Sequence, residues 1–437
     1  MRVPLAIVGN GGAAAEAVVA LRAHAYAGDI HLFADNQDAP YNPMLGTYLI
    51  SGAIPLERAF PFGDGHRFYE DHGVTTHLGQ AVTALDAAEQ RLTTGDGSAY
   101  SYDYCLVATG ARPAVPPVLG LREALAAPGG AQERRVFTLR SFSDAAGLKE
   151  TLACLRSRPG EPARVAVVGA SFVGIKVASL VHDLGMRVCL IEREPHILPL
   201  SAHPDCARPM EDHLLEQGYE LRLGAALAGV EMGPFGVRLD FGALPGAADP
   251  SGAKGTACEE STTQEDVDLV VVCAGIRTSL DLLAAGQVDT AEGILVDERM
   301  RSSIPTLYAA GDVAQGKNLL SGRHEIIGSW ASARYQGRAA GRSLAGAPAG
   351  YPGGVPHNIT HVGRLLFASV GCIKDYDRMT ICRDGNSLQV RVWQGERLAG
   401  VNLLDCCLNA GTMKQALLRA ATGAVTNTGA TWISFNG

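Results

Sequence analysis

Val3-Pro4-Leu5-Ala6-Ile7-Val8-Gly9-Asn10-Gly11-Gly12-Ala13-Ala14 leads into a helical pattern from Ala15 to His24, and then into a second apolar run, Ile30-His31-Leu32-Phe33, that ends at Asp35. The order is strand, glycine-rich turn, helix, strand, with Asp35 lying 26 residues beyond Gly9. This is the dinucleotide-binding β-α-β pattern. Gly9 allows the tight turn, and Gly11 lets the backbone approach a pyrophosphate. Ala14 stands where a third glycine is usual and is small enough for close helix–strand packing. A diphosphate would sit on free amides at the positive end of the helix, with Asp35 holding the adenosine ribose.

The pattern recurs. Arg164-Val165-Ala166-Val167-Val168 runs into Gly169-Ala170-Ser171-Phe172-Val173-Gly174, a helix follows through Leu184, and Val188-Cys189-Leu190-Ile191 ends at Glu192. One glycine turn between a strand and a helix also arises for purely structural reasons, but two such units in one chain point to two dinucleotides.

A chain of 437 residues is long enough for two or three domains with full cores. Its hydrophobic fraction of 47% and its 52 glycines fit an α/β enzyme with many tight turns. A formal charge of −8 argues against nucleic acid or an acidic membrane surface as partner. No apolar run approaches the roughly 20 residues of a spanning helix, and the first residues enter a strand directly, so the expected location is the cytoplasm. Ten cysteines are present without zinc-type or Cys-x-x-Cys spacing. Cys105, Cys189 and Cys273 lie inside apolar strands, where a thiol behaves as a small hydrophobe.

After Asp35, the proline-punctuated run Ala39 to Leu49 turns into a helix. Tyr100 to Val107 reads as a strand closed by Ala108-Thr109-Gly110-Ala111-Arg112-Pro113. Val136 to Arg140 and a helix from Ser143 to Leu155 form the crossover into the second unit, which closes at Asp268 to Arg277. Leu244 to Glu265, rich in Gly, Ala, Ser, Thr and Pro, reads as a hairpin tip or insertion. Pro305 to Val313 is a strand ending in Gly311-Asp312, followed by a helix containing Trp330. Ala345 to Gly354 is a linker, and beyond it Leu388 to Trp393 and Leu398 to Leu404 predict a small sheet before a helix over Gly411 to Thr422.

With these motifs in order, the chain resembles the FAD- and NAD(P)-dependent pyridine nucleotide-disulfide oxidoreductase superfamily. The likeness is greatest to its ferredoxin-reductase and NADH-oxidase-like branches and to the flavin portion of assimilatory nitrite reductases. It covers about residues 2 to 345. The implied fold is α/β, with two Rossmann-like dinucleotide-binding domains of the glutathione-reductase kind and a small α+β C-terminal dimerisation-type domain. The implied boundaries are 1–120 with 277–347 for FAD, 121–276 for NAD(P)H and 355–437 for the interface domain. By resemblance Gly9, Gly11 and Asp35 bind the FAD pyrophosphate and ribose, Asp312 holds the ribityl chain, and Gly169, Gly174 and Glu192 bind the nicotinamide dinucleotide. Gly12, Ala14, Pro43, Thr109, Gly110, Arg112, Gly311, Ser171, Val173, Gly275 and Trp330 complete the set of cofactor-binding candidates. The bland readings are a helix cap for Asp312 and an exposed strand end for Glu192.

Departures from the family pattern shape the functional expectation. Disulfide reductases and peroxide- or oxygen-reducing oxidases carry a redox cysteine in the loop that corresponds to Tyr41–Leu49, whereas this chain has no cysteine before Cys105. Ferredoxin reductases usually carry a lysine there, with a partner glutamate after the second glycine turn. Here those positions match Thr47 and Lys176. The double change suggests that Lys176 supplies from the nicotinamide side the positive charge that stabilises reduced flavin; the bland reading is a solvated lysine on a helix face. Cys406-Cys407 is a second candidate, as a redox pair or as buried thiols, and His357 and His361 are candidate acids or surface residues. The resulting expectation is an NADH-dependent FAD enzyme, with NADPH as the alternative because Arg193 adjoins Glu192. Electrons would pass to a ferredoxin-like iron–sulfur protein or partner subunit, from a homodimer. The competing readings are a reductase of quinone, oxygen or a thiol substrate, and a flavin-carrying subunit of a larger complex.

Overall fold

The computed structural model describes residues 1–130, 133–242, 263–348, 350–406 and 410–421. Arg2–Val8 lies at the centre of a seven-stranded sheet, parallel to Ile30–Phe33 on one side and to Ala99–Val107 on the other. Val74–His77 extends the sheet beyond Ile30–Phe33. The first half of Ala99–Val107 pairs antiparallel with Arg91–Thr94, and its second half pairs parallel with Leu307–Ala309. The sheet is packed against the helix that follows Arg2–Val8 and against Leu282, Val288, Ile294 and Val296, which is why its central strands are continuous apolar runs rather than alternating ones.

The helix after the first glycine turn spans Gly12–Ala23, three residues earlier than the sequence pattern indicates, because the turn itself supplies its first residues. It crosses the helix Trp330–Leu344 at very close range. A Cβ on Gly337 would lie 2.1 Å from the Ala13 carbonyl oxygen, and one on Gly341 would lie 2.4 Å from that of Ala17. Glycine on one helix and alanine on the other therefore set the crossing distance. Glu16 is buried in this joint and accepts from Arg334 Nε at 2.8 Å and from Arg338. Burial pushes the Glu16 carboxyl up, but the two guanidiniums outweigh it and hold the group below its ordinary value.

The second glycine unit builds a five-stranded parallel sheet in the order Glu220–Leu223, Arg187–Glu192, Arg164–Val168, Leu269–Val272, Val136–Thr138. Beside it stands a three-stranded antiparallel ribbon of Leu227–Met232, Val237–Phe241 and Thr263–Val267. Most of the expected hairpin tip Leu244 to Glu265 lies outside the described residues. Its last three residues are a correction: they begin a strand, held by pairing of Phe241 with Thr263 and by Arg164 and Arg222 on Glu265.

The C-terminal part is a five-stranded antiparallel sheet, ordered His357–Val362, Leu365–Gly371, Arg397–Leu404, Ser387–Gln394, Arg378–Asp384. Alternation along its strands separates two apolar faces. Ala368, Val370, Val401 and Leu403 pack with the helix Ala410–Ala421. Phe367, Val390, Val392 and Leu404 join the core of the second parallel sheet. Ile50, from the short helix Gly46–Ser51, is buried in that same core and fastens the first unit to the second.

Candidate functional site

The carboxyl ends of Arg2–Val8, Ile30–Phe33 and Leu307–Ala309 open into a cleft of about 810 Å³, the place where parallel sheets bind ligands. Gly9, Gly11, Gly12, Asp35, Pro43, Thr109, Gly110, Arg112, Gly311, Asp312 and Trp330 all face it. Gly9 has φ +113°, and a Cβ there would lie 2.3 Å from the Ala108 carbonyl oxygen, so only glycine makes this turn. Gly11 precedes the helix Gly12–Ala23, and no side chain caps that helix. A Cβ on Gly11 would find nothing within 4 Å, so the first-turn amides look onto open space. Gly12 is needed for packing, since its Cβ would meet the Trp330 indole at 2.7 Å. Ala14 is fully buried and does not face the cleft.

Asn10 braces the turn from below, donating to the Asp38 carbonyl at 2.7 Å and accepting from the Tyr69 hydroxyl. Asp35 stands exposed at the end of its strand. On the opposite wall the Thr109 hydroxyl donates to the Ser279 carbonyl at 3.1 Å, and Arg112 pairs with Asp281 at 2.7 Å. The Gly311 amide donates to Gln336 Oε1 at 2.8 Å, which orients the Gly-Asp turn.

Asp312 does not cap a helix; its Oδ2 accepts from Arg140 Nη2 at 2.8 Å inside the cleft. Arg140 was not singled out by sequence. It follows the three-residue strand Val136–Thr138 and carries no motif, and the structure brings it to Asp312 across 172 positions. An uncapped helix start, open space over Gly11 and the carboxylates of Asp35 and Asp312 in the cleft lining fit an adenine dinucleotide whose diphosphate lies on the helix.

The second glycine turn differs. Gly169 has φ +102° and its Cβ would meet the Cys273 carbonyl oxygen at 2.5 Å, while one on Gly174 would lie 1.9 Å from the Gly169 oxygen. Glycine is therefore obligatory where the first unit tolerates Ala14. Ser171 caps the helix Phe172–Asp183 by accepting from the Gly174 amide at 3.3 Å, and it donates to the Cys273 carbonyl at 2.9 Å. Glu192 is not a loose strand end. Its two oxygens accept from the Ala170 amide at 2.8 Å and the Glu194 amide at 3.0 Å, tying the strand to the turn. Val173 is exposed on the first helical turn, and Gly275, at φ +103°, has open space where a Cβ would stand.

Thr47 and Lys176 both lie outside the cleft lining. Thr47 lies half-buried in the short helix Gly46–Ser51. Lys176, half-buried, has its Nζ 5.2 Å from the ring centroid of the exposed Tyr48 in that same helix. Lys149 Nζ donates to the Leu49 carbonyl at 3.3 Å from the other side.

Among the described thiols, Cys105, Cys189, Cys206 and Cys273 are buried, Cys154, Cys382 and Cys406 are half-buried and Cys372 is exposed. Burial pushes Cys105 up, Cys189 to about 11, and Cys206 and Cys273 to about 12. Cys406 is half-buried and raised by burial, with its thiol on the Leu388 carbonyl at 3.4 Å. Cys407 lies outside the described residues. His357 is held by the Val355 carbonyl at 3.0 Å and Lys414 Nζ at 3.4 Å, His361 is exposed, and neither faces the cleft.

Comparison with known proteins agrees with this layout. The family model described as pyridine nucleotide-disulphide oxidoreductase matches residues 3–337. A rubredoxin-NAD(+) reductase of Ectopseudomonas oleovorans is 26% identical over 417 residues, covering 94% of this chain and 97% of that protein. The NADH-dependent phenylglyoxylate dehydrogenase subunit epsilon of Aromatoleum evansii is 30% identical over 334 residues, 76% of this chain and 70% of that one. Among solved structures, the covalent putidaredoxin reductase–putidaredoxin complex superposes with a TM-score of 0.80 at 24% identity, covering 96% of this chain and 93% of the other. That last likeness concerns the fold.

Proposed function

Because the chain belongs to the pyridine nucleotide-disulphide oxidoreductase family, we propose that it takes hydride from NADH onto FAD and passes the electrons to an external iron–sulfur protein of the rubredoxin or ferredoxin class. The observation that carries this reading is that no thiol lines the cleft among the described residues and that the Tyr41–Leu49 loop contains no cysteine. With Cys105, Cys189, Cys206 and Cys273 buried and pushed up by that burial, the exit for electrons in this reading is not an internal dithiol. FAD, when bound, supplies the exchange between two-electron hydride chemistry and one-electron transfer.

The chain's own residues bind and orient. The amides of the first helical turn receive the diphosphate, Asp35 the adenosine ribose and Asp312 the ribityl chain, with Arg140 holding the Asp312 carboxylate in place. Gly169, Ser171, Val173, Gly174 and Gly275 shape the nicotinamide side, where Glu192 favours NADH because a 2′-phosphate would meet a carboxylate. Lys176, beside Tyr48 at the joint between the two units, supplies positive charge, with Thr47 in the same short helix as Tyr48. Thr109, Gly110, Arg112, Gly311, Pro43, Gly12 and Trp330 complete the walls.

The likeness to the phenylglyoxylate dehydrogenase subunit supports a second reading, an FAD subunit that hands electrons to a partner subunit. Reoxidation of the NADH-reduced protein separates the outcomes. Fast single-electron transfer to an isolated rubredoxin or ferredoxin supports the first reading. Transfer only in the presence of a co-purifying subunit supports the second, and rapid turnover with quinone or disulfide alone contradicts both.

A further inference from the structure

Asn402, in the strand Arg397–Leu404 of the C-terminal sheet, has no solvent exposure, and its side chain reaches into the second dinucleotide unit. Asn402 Nδ2 donates to the Ser201 carbonyl at 2.9 Å, and Asn402 Oδ1 accepts from the His203 amide at 2.6 Å. One side-chain amide thus satisfies two backbone groups of a segment that belongs to another sheet. Tyr376, from the same C-terminal part, has its hydroxyl 2.9 Å from His203 Nε2, while His203 Nδ1 accepts from the Asp205 amide at 3.3 Å and caps the helix Pro204–Glu216.

The segment so held, residues 193–203, is a strap between the strand Arg187–Glu192 and that helix. Its middle is fastened to the second glycine turn: the Leu198 amide donates to the Ala170 carbonyl at 2.8 Å, and the Leu198 carbonyl accepts from the Ser201 and Ala202 amides, each at 2.8 Å. Leu198 is buried at φ +51°, a left-handed conformation that a bulky side chain keeps only where its surroundings enforce it. The Ala170 amide in turn donates to Glu192. Consecutive hydrogen bonds therefore run from Asn402 through Ser201, Leu198 and Ala170 to Glu192. We propose that Asn402, with Tyr376 beside it, is a positioning residue for the nicotinamide dinucleotide: it holds the strap down on the turn, so that the turn and the Glu192 carboxylate are set for the adenosine half of the ligand before it arrives. The proposal rests on the assignment of that turn to NADH. Without Asn402, two backbone groups of the strap lose their partner, Leu198 loses its restraint, and binding must also order the strap. The flavin side is untouched, so the effect falls on affinity and not on the limiting rate of hydride transfer.

ADP-ribose, which carries the adenosine and diphosphate but cannot reduce flavin, is the probe. Titration calorimetry on the oxidised, FAD-loaded protein should show its dissociation constant rising about tenfold in Asn402→Ala and roughly two- to threefold in Tyr376→Phe, an exposed position that does not threaten folding. Val370→Ala, which opens a cavity on the opposite face of the same sheet, against the helix Ala410–Ala421, should leave the constant unchanged. In stopped-flow, the NADH concentration giving half-maximal flavin reduction should rise in parallel, with the limiting rate within about twofold of wild type. Amide exchange over residues 193–203 should quicken in Asn402→Ala and slow again at saturating ADP-ribose. A dissociation constant unchanged in Asn402→Ala and Tyr376→Phe overturns the proposal; if Asn402→Ala does not fold, an unchanged value in Tyr376→Phe does so alone. An equal rise in Val370→Ala, or a lower limiting rate at unchanged half-saturation, also overturns it. If the wild-type protein neither binds ADP-ribose nor oxidises NADH, the assignment of the turn fails and takes the proposal with it.

Discussion

Arg140 and Asp312 meet at 2.8 Å in the wall of the main cleft and join the strand end before helix Phe142–Arg156 to the Gly-Asp turn of the first unit. The contact ties the two dinucleotide units together at the point where the cofactor's ribityl end is proposed to lie. Replacing Arg140 with alanine removes a charge-assisted hydrogen bond worth about 1.5–3 kcal/mol. FAD affinity, measured by fluorescence titration of the apoprotein, is expected to fall by at least about tenfold. An unchanged dissociation constant would show that Asp312 does not need this partner.

Lys176 reaches Tyr48 across the same joint. Lys176→Ala is expected to slow reduction of the flavin by NADH by roughly tenfold or more, and Lys176→Arg to restore most of the rate, because a cation near developing charge acts chiefly on the transition state. Stopped-flow absorbance measures both. Equal rates for alanine and wild type discard the electrostatic role.

Gly337 permits the crossing of Gly12–Ala23 and Trp330–Leu344. An alanine there must push the helices apart at Ala13, one residue from the glycine turn. Overpacking of this kind costs about 1–3 kcal/mol, and denaturant unfolding should show the loss together with weaker FAD binding. Stability equal to wild type would mean that the crossing is softer than its geometry indicates.

His31 Nδ1 and His77 Nε2 lie 3.0 Å apart on neighbouring strands, stacked with Phe33. Burial lowers both from their ordinary value, and at His77 the neighbouring His31 adds to the effect. The folded state therefore binds fewer protons than the unfolded chain. Stability is full above about pH 6.5 and is lost as pH falls from there through the depressed folded values. Melting temperatures from pH 8 to 5 should fall below about pH 6.5, and His31→Phe should flatten that slope.

Much of the architecture is legible in the sequence, because a strand, a glycine turn and a helix are local and periodic. Gly9, Gly169 and Gly174 announce themselves through backbone demands that only glycine meets. Arg140 is invisible by the same logic, since its partner is distant in sequence and its own strand is three residues long. Lys176 stands out in the sequence by its place after the second glycine turn, but its neighbour Tyr48 is far along the chain and shows only in the fold. Glu192 was legible as a strand-end carboxylate, but its hold on two backbone amides depends on how the turn folds back over it.

The central claim is that reducing equivalents leave this protein without passing through a thiol pair. Anaerobic titration of the purified flavoprotein with NADH, with free thiols counted before and after, tests it most directly. The prediction is uptake of two electrons per chain and no new thiols. Uptake of four electrons with the appearance of two thiols would contradict it and would place a cysteine pair in the path.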